Sequence, residues 1–443
     1  MSIERALLAT ATAPLPESLE QLQDRIPAEW IDEALAATGV ATMRRRRLPA
    51  EQVIWLVLGI ALFRNRSIEQ VVDALDIALP SPRGAVARSA IPSARRRLGD
   101  APVKYLFERT AKSWSVRSAD RHRWRGLAVY GIDGSSLRTT DTDANRAEFH
   151  GWTGAKGDSS NPLVRVVTLM VLRSHLLVAA RIAPYAPSAE LTLARDMIGD
   201  IPDESLTIMD ALFLATSFLH DFGALPQRHW LTKAKSTTKM RVVEQLGDGD
   251  DLVEIETSEH ARAQDRSLSR TWRARAIRYQ RAGFKPQTLV TSLLDSKRYP
   301  ADELRDLYHE RWELELAYDE LKTELLDAEV TLRSKSPSAV RQELWGVLIA
   351  FNLVRLEMER IAMAASIAPT RISFVASLAL VRQEFEWSAV ARSPGAIPKA
   401  LTALGQRLKR FVLPPRRSHR RYPREIKNDY RRYPRRRTNP PAK

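Results

Sequence analysis

The sequence predicts an α/β protein: a mixed sheet with a β-rich insertion, preceded by an all-α N-terminal domain and followed by further helices and a basic tail. Three observations predict it. Helical periodicity fills 19–114 and gives way near Arg125 to short apolar runs alternating with helices. A polar, strand-like stretch containing DLVEIETS and TWRARAIRYQ occupies 236–292. Beyond it, YHERWELELAYDELKTEL (308–325) holds no Pro or Gly, is rich in Glu, Leu and Ala, and reads as one helix.

Residues 1–16 have no periodic pattern and are expected to be disordered. Residues 17–118 form the helical N-terminal domain, with Pro49 at a first helical position and Gly39 and Gly99 as helix stops. Within it, SIEQVVDAL, a Pro/Gly loop and SAIPSARRRLG have the rhythm of a helix-turn-helix. This rhythm places Arg95, Arg96 and Arg97 on a later helix that suits a DNA backbone, or else makes them solvated residues of a helical cap. A second arginine cluster lies at 44–47.

In the following domain, 125–365, RGLAVYGIDG is a strand ending in a turn. The runs 164–173 and 176–185 form a hairpin, 205–210 and 228–234 are buried strands, and helices at 189–197 and 211–222 separate them. The stretch 344–365 is an apolar helix expected to pack on the sheet, and 366–412 adds helices. In the tail, 413–443, 12 Lys or Arg face two acids, and tyrosines 422, 430 and 433 are interleaved with them. Such a segment builds no core, and its composition favours contact with nucleic acid.

Composition narrows the class. The chain has 443 residues, 44% of them hydrophobic, with 69 Lys and Arg against 53 acids and a net charge of +16. That surplus points to a polyanionic partner. The absence of cysteine excludes disulfides and thiolate metal sites. The best apolar run, 54–63, is about half the ~20 residues a membrane span requires. An early Glu4 and no cationic start make the N-terminus a poor signal peptide, so a cytoplasmic, membrane-free protein is expected.

The chemistry centres on 308–325. Tyr308, Arg311, Glu315 and Lys322 are spaced by 3, 4 and 7, one face of a helix, and Leu307, Leu314, Leu321 and Leu325 form a buried back. The polar face is either a solvated surface or a phosphodiester site, with Glu315 holding a divalent metal and the two cations on phosphate. The pattern Tyr-x2-Arg-x3-Glu-x6-Lys resembles, at every position, the signature helix of DDE transposases of the insertion-sequence-four type.

That resemblance extends over about 16–365 and implies an RNase H-like sheet bringing three acids together. Asp133, in GIDGSSLRTTDT with Asn145 and Phe149 downstream, matches the family's first motif; a turn cap is its plain alternative. Asp210, ending SLTIMD before Ala-Leu-Phe, matches the second, and an N-cap role is compatible with it. Glu315 is the third. With Asp133 and Asp210 it is implied to hold two Mg²⁺ ions, for which Mn²⁺ substitutes, while Tyr308, Arg311 and Lys322 contact DNA. Some relatives stack a Trp on a flipped base; Gln287 stands at that position here, with Trp272 upstream as a substitute or a core residue. The expected function is cleavage and strand transfer at the inverted-repeat ends of an insertion element, by a chain that dimerises on double-stranded DNA. The rivals are an RNase H-fold nuclease or resolvase and a catalytically dead DNA-binding derivative.

Overall fold

The computed structural model describes residues 26–40, 48–74, 89–154, 157–186, 189–224, 227–281, 285–328 and 331–390. The N-terminal 1–16, the arginines at 44–47, the loop between the two helix-turn-helix segments and the tail 413–443 lie outside the described residues. The described residues fall into two units, a helical one from segments up to Trp114, Leu137–Glu148 and Asp319 onward, and a sheet unit from Ser115–Ser136 and Phe149–Tyr318.

The elements run α1 (Ala28–Ala37), α2 (Ala50–Leu62), α3 (Ile68–Ala74), α4 (Ala90–Leu98), α5 (Ala101–Arg121), β1 (Ala128–Arg138), α6 (Asp143–Phe149), β2 (Thr153–Gly154) and β3 (Gly157–Asp158). Next come β4 (Leu163–Val171), β5 (Leu177–Pro184), α7 (Glu190–Arg195), β6 (Ser205–Ile208), α8 (Thr216–Gly223) and β7 (Arg228–Lys233). The insertion contributes β8 (Met240–Gly247), β9 (Asp250–Glu256), α9 (Glu259–Gln264), β10 (Thr271–Tyr279) and β11 (Gln287–Thr291). The remainder is α10 (Ala301–His309), α11 (Trp312–Asp319), a π-helical turn (Glu320–Leu325), α12 (Pro337–Ala365) and α13 (Phe374–Val390).

Nine strands form one sheet in the order β5-β4-β1-β6-β7-β11-β10-β9-β8. β1, β6 and β7 are parallel, while the insertion strands extend the sheet beyond β7 by antiparallel pairing. Side chains alternate across a strand, so each face can be read separately. Ala128, Tyr130 and Ile132 of β1 join Val167, Leu169, Val171, Leu193, Met197, Met209, Phe213, Phe218 and Phe222 in one core. The opposite parity of β1 carries Val129, Gly131 and Asp133. On that side a Cβ at Gly131 would meet Leu172 at 2.7 Å and Leu314 of α11 at 2.9 Å. The missing side chain lets α11 lie close on the strand that carries Asp133.

Three expectations are corrected. The helix 308–325 is not continuous. It stops at His309, and three-residue hydrogen bonds (Glu310 N to Leu307 O, 3.0 Å; Arg311 N to Tyr308 O, 3.1 Å) tighten the path before α11 begins. It then widens into the π-turn, where Leu326 N bonds to Leu321 O. Packing causes this: Leu307, Leu314, Leu321 and Leu325 all stay buried, and local over- and under-winding keeps them facing inward. Second, the expected helix at 211–222 is a 3₁₀ turn (Ala211–Phe213) followed by α8. Third, α12, expected against the sheet, has its main packing with helices of its own unit, α2, α4 and α13. Gly346 lies against Val57, where a Cβ would sit 2.6 Å from Cγ1, and Phe107 stacks on Trp345 at 5.3 Å. An apolar helix pattern reports burial but does not name the surface that provides it.

Candidate active site

Register sets the first two acids side by side. β1 and β6 pair in parallel as far as Gly131 and Ile208, and Asp133 and Asp210 each lie two residues beyond that rung. The strand does not end at Asp133, as its Asp-Gly turn suggested, but continues to Arg138; its burial opens at Asp133 instead. Asp210 has extended backbone (φ −78°, ψ 176°), so it keeps the parity of Leu206 and Ile208, away from the Met209 core.

Each aspartate is held the same way. Asp133 Oδ1 accepts from Gly134 N at 2.8 Å, and Asp210 Oδ1 from Leu212 N at 2.7 Å. The second bond is the N-cap anticipated for Asp210, and it fixes the orientation of the carboxylate. Each backbone carbonyl accepts from a hydroxyl: Tyr318 Oη to Asp133 O at 2.8 Å, Thr232 Oγ1 to Asp210 O at 2.6 Å. Burial pushes the Asp133 carboxyl up to about 6. The Gly134 amide opposes that rise, Asp210 adds to it, and Arg311 and Glu190 act with smaller opposite effects.

Glu315 sits on α11, half-buried, and accepts from Arg311 Nη2 at 2.9 Å. Arg311 also feels Asp133. Tyr308 is buried, with 7% exposure, and burial pushes its phenol up to about 12, so it is a neutral donor at physiological pH. Asp133, Asp210, Tyr308, Arg311 and Glu315 therefore share one electrostatic neighbourhood. Among the described residues no three His, Asp or Glu side chains are gathered tightly enough to hold a metal ion, and Glu315 is paired with Arg311. The donor set is oxygen only, which suits a hard divalent ion. A carboxylate whose proton affinity rises beside a second carboxylate, as that of Asp133 does beside Asp210, leaves room for positive charge. Lys322 lies in the π-turn, which belongs to the helical unit.

The other expected contacts divide. Arg95 is buried, with 9% exposure, and donates to Gln342 Oε1 at 2.8 Å and Ser334 Oγ at 3.1 Å; burial lowers its proton affinity, partly offset by Glu343. It is a structural residue, so the expectation of three DNA-facing arginines reduces to the exposed Arg96 and Arg97. A helix of four turns or fewer must bury one face, and Arg95 falls on the face of Ile91, Ala94 and Leu98. Trp272 is likewise turned inward, half-buried against the core with its ring 6.0 Å from that of Trp230.

Sequence reasoning missed Tyr318, Gly131 and Glu190. Glu190 pairs with Arg165 at 2.8 Å, and a Cβ on Gly134 would fall 2.6 Å from Glu190 Cδ. Tyr318 carried a signal, since it lies three residues after Glu315 on the same helix.

Comparison with known proteins sets the class first. Residues 124–353 match the family model described as transposase DDE domain, and residues 16–108 match insertion element 4 transposase N-terminal. The chain is 39% identical over 432 residues to the transposase InsG for insertion sequence element IS4 of Escherichia coli (strain K12), covering 96% of both chains. It is 37% identical over 251 residues to the putative transposase InsZ of the same organism, covering 55% of this chain and 82% of that protein. A piggyBac transposase synaptic complex with hairpin DNA is similar at a TM-score of 0.43 and 10% identity, over 92% of this chain and 87% of that one, a likeness too loose to argue from. The chain belongs to the DDE transposases of the insertion element 4 type. It is thus an enzyme of the class that cleaves and joins DNA strands with divalent metal ions. No helix among the described residues is long and apolar enough to cross a membrane.

Proposed function

We propose that Asp133, Asp210 and Glu315 are the three metal-holding acids of a transposase that cuts and rejoins DNA at the inverted-repeat ends of its own element. The observation that carries this reading is the matched register of Asp133 and Asp210 beyond the Gly131–Ile208 rung, with α11 and Glu315 over the same face. We assign two Mg²⁺ ions to these acids, with Mn²⁺ as a substitute. Bound there, such ions activate the attacking oxygen and stabilise charge on the departing one.

The chain's own groups do the rest. Glu315, now paired with Arg311, would hold a metal ion in that guanidinium's place, leaving Arg311 to bind a phosphate oxygen. Tyr308, neutral and buried, donates to a second oxygen. Lys322, by its place in the sequence pattern, and exposed Arg96 and Arg97 neutralise flanking phosphates. Water attacks a phosphodiester at the strand end, its P–O bond forming as the P–O3′ bond breaks, which releases a 3′-OH and leaves a 5′-phosphate. That hydroxyl then attacks a second phosphodiester, forming one P–O bond as another breaks, so no ATP is required. The partner is double-stranded DNA, the working assembly a dimer joining two ends, and the location the cytoplasm.

Glu315→Ala tests the reading. Cleavage of an end-bearing duplex in Mg²⁺ is expected to vanish while binding of that duplex persists. Retained cleavage would remove Glu315 from the site. Cleavage without joined products would favour a nuclease.

A further inference from the structure

The helix that bears Glu315 is tied to the β4–β5 hairpin at three points. Arg173 forks onto Glu310 at 2.9 and 2.8 Å, at the break between α10 and α11. His175 Nε2 meets Glu313 Oε2 at 2.6 Å. Thr168 Oγ1 and Tyr318 Oη are 2.9 Å apart. The first two contacts fasten the start of α11 to the hairpin turn. The third reaches further, because Tyr318 Oη also donates to the carbonyl of Asp133 at 2.8 Å.

One phenol therefore touches β4, β1 and, through its own backbone, α11. It lies one helical turn past Glu315 and bonds to the peptide unit of the residue that supplies the first acid. A residue with a single oxygen in both places controls the spacing between two acids that lie far apart in sequence.

We propose that Tyr318 is a positioning residue for metal binding: its hydroxyl, oriented by Thr168, fixes the distance between the Asp133 strand and the Glu315 helix. The proposal rests on the three-acid reading above. The hydroxyl acts as a pivot that would hold α11 in place whether Glu315 pairs with Arg311 or with a cation. Removing it leaves the ring packed and the acids present, but lets strand and helix drift. Ligand groups must be held within about 0.5 Å to act together, so a loosened pair binds metal less tightly.

The test is Tyr318→Phe in the full chain, with Mn²⁺ binding followed by calorimetry and by the electron paramagnetic resonance of free Mn²⁺. The expected result is Mn²⁺ affinity weakened about five- to tenfold, the loss of one well-placed hydrogen bond. The Mg²⁺ concentration for half-maximal cleavage should rise in parallel, with end-DNA binding unchanged. Thr168→Val, which removes only the orienting hydroxyl, should shift both in the same direction by less, and it carries the test if Tyr318→Phe does not fold. Ile277→Ala, a core truncation on β10, controls for lost stability and should leave Mn²⁺ affinity alone. Unchanged Mn²⁺ affinity in Tyr318→Phe, or an equal shift in Ile277→Ala, overturns the proposal. Asp133→Asn separates the two readings: if it binds Mn²⁺ as tightly as the parent, the three-acid site itself is wrong and the role of Tyr318 falls with it.

Discussion

The two units treat a half-hidden or hidden carboxylate in opposite ways. In the helical unit Glu343 is fully enclosed, yet it accepts from Arg64 Nη1 at 2.5 Å, from the amides of Arg333 and Ser334 at 2.9 Å, and from Ser334 Oγ at 2.6 Å. Burial alone would raise its proton affinity, but Arg64 and these donors outweigh burial and hold the carboxyl below its ordinary range. In the sheet unit Asp133 has one amide and a second aspartate nearby, and burial carries it up to about 6. Structural charges are satisfied within the chain. A charge left under-satisfied beside a like charge is prepared for a partner that the chain does not supply.

The largest effects should come from breaking the satisfied side. Arg64→Ala leaves Glu343 buried without its cation and is expected to cost about 3–5 kcal/mol in urea unfolding. The parent's Glu343 contribution is present above pH 4.5 and is lost as pH falls through its depressed folded value. In Arg64→Ala the acid limb of the stability curve should move to higher pH; an unmoved limb would mean that Glu343 is not held by Arg64.

Asp133→Asn sharpens the contrast from the other side. The parent pays for an ionised, partly buried carboxylate, so the variant should be more stable by on the order of 1–3 kcal/mol at pH 7.5 in EDTA, while cleavage is lost. The sign reverses the Glu343 case. The folded-state value, about 6, lies above the ordinary 3.8, so the penalty is full above pH 6 and fades as the parent takes up a proton between about 6 and 4. Paired melts at pH 7.5 and pH 5 should therefore show the advantage of the variant shrinking. A constant difference would place the effect elsewhere.

Gly131→Val probes the close approach of α11. It should cost about 1–3 kcal/mol, because Leu172 and Leu314 must move. Cleavage should fall more steeply than stability, since Leu314 adjoins Glu315. The smallest effects belong to the α4 arginines. Arg96→Ala and Arg97→Ala should each weaken DNA binding a few-fold and lower the salt slope by about one, with unchanged melting. Arg95→Ala should do the reverse, lowering stability by removing the guanidinium that donates to Gln342 Oε1 and Ser334 Oγ while leaving the salt slope alone.

The three acids proposed for the site, Asp133, Asp210 and Glu315, were legible as candidates from strand-end and helix spacing joined to a family pattern, and the strands β1, β4, β5, β6 and β7 were legible from apolar runs. Arg95 was not separable from Arg96 and Arg97, because a run of three cations does not say which one falls on the buried face. The breaks at 310–311 and 320–325 were invisible, since an uninterrupted helical composition reports propensity and not the winding that neighbouring leucines impose.

By itself the amino-acid order determined the class of chemistry, the acids available for it and the alternation that sorts strands from helices, because these depend on residue types at short separations. Tertiary structure alone decided which of these groups are neighbours: the common rung that aligns Asp133 with Asp210, the bare Gly131 that admits Leu314, and the phenol of Tyr318 that reaches a backbone 185 positions away. Contacts at that range follow from how the sheet pairs and which faces are covered, and no local pattern encodes them.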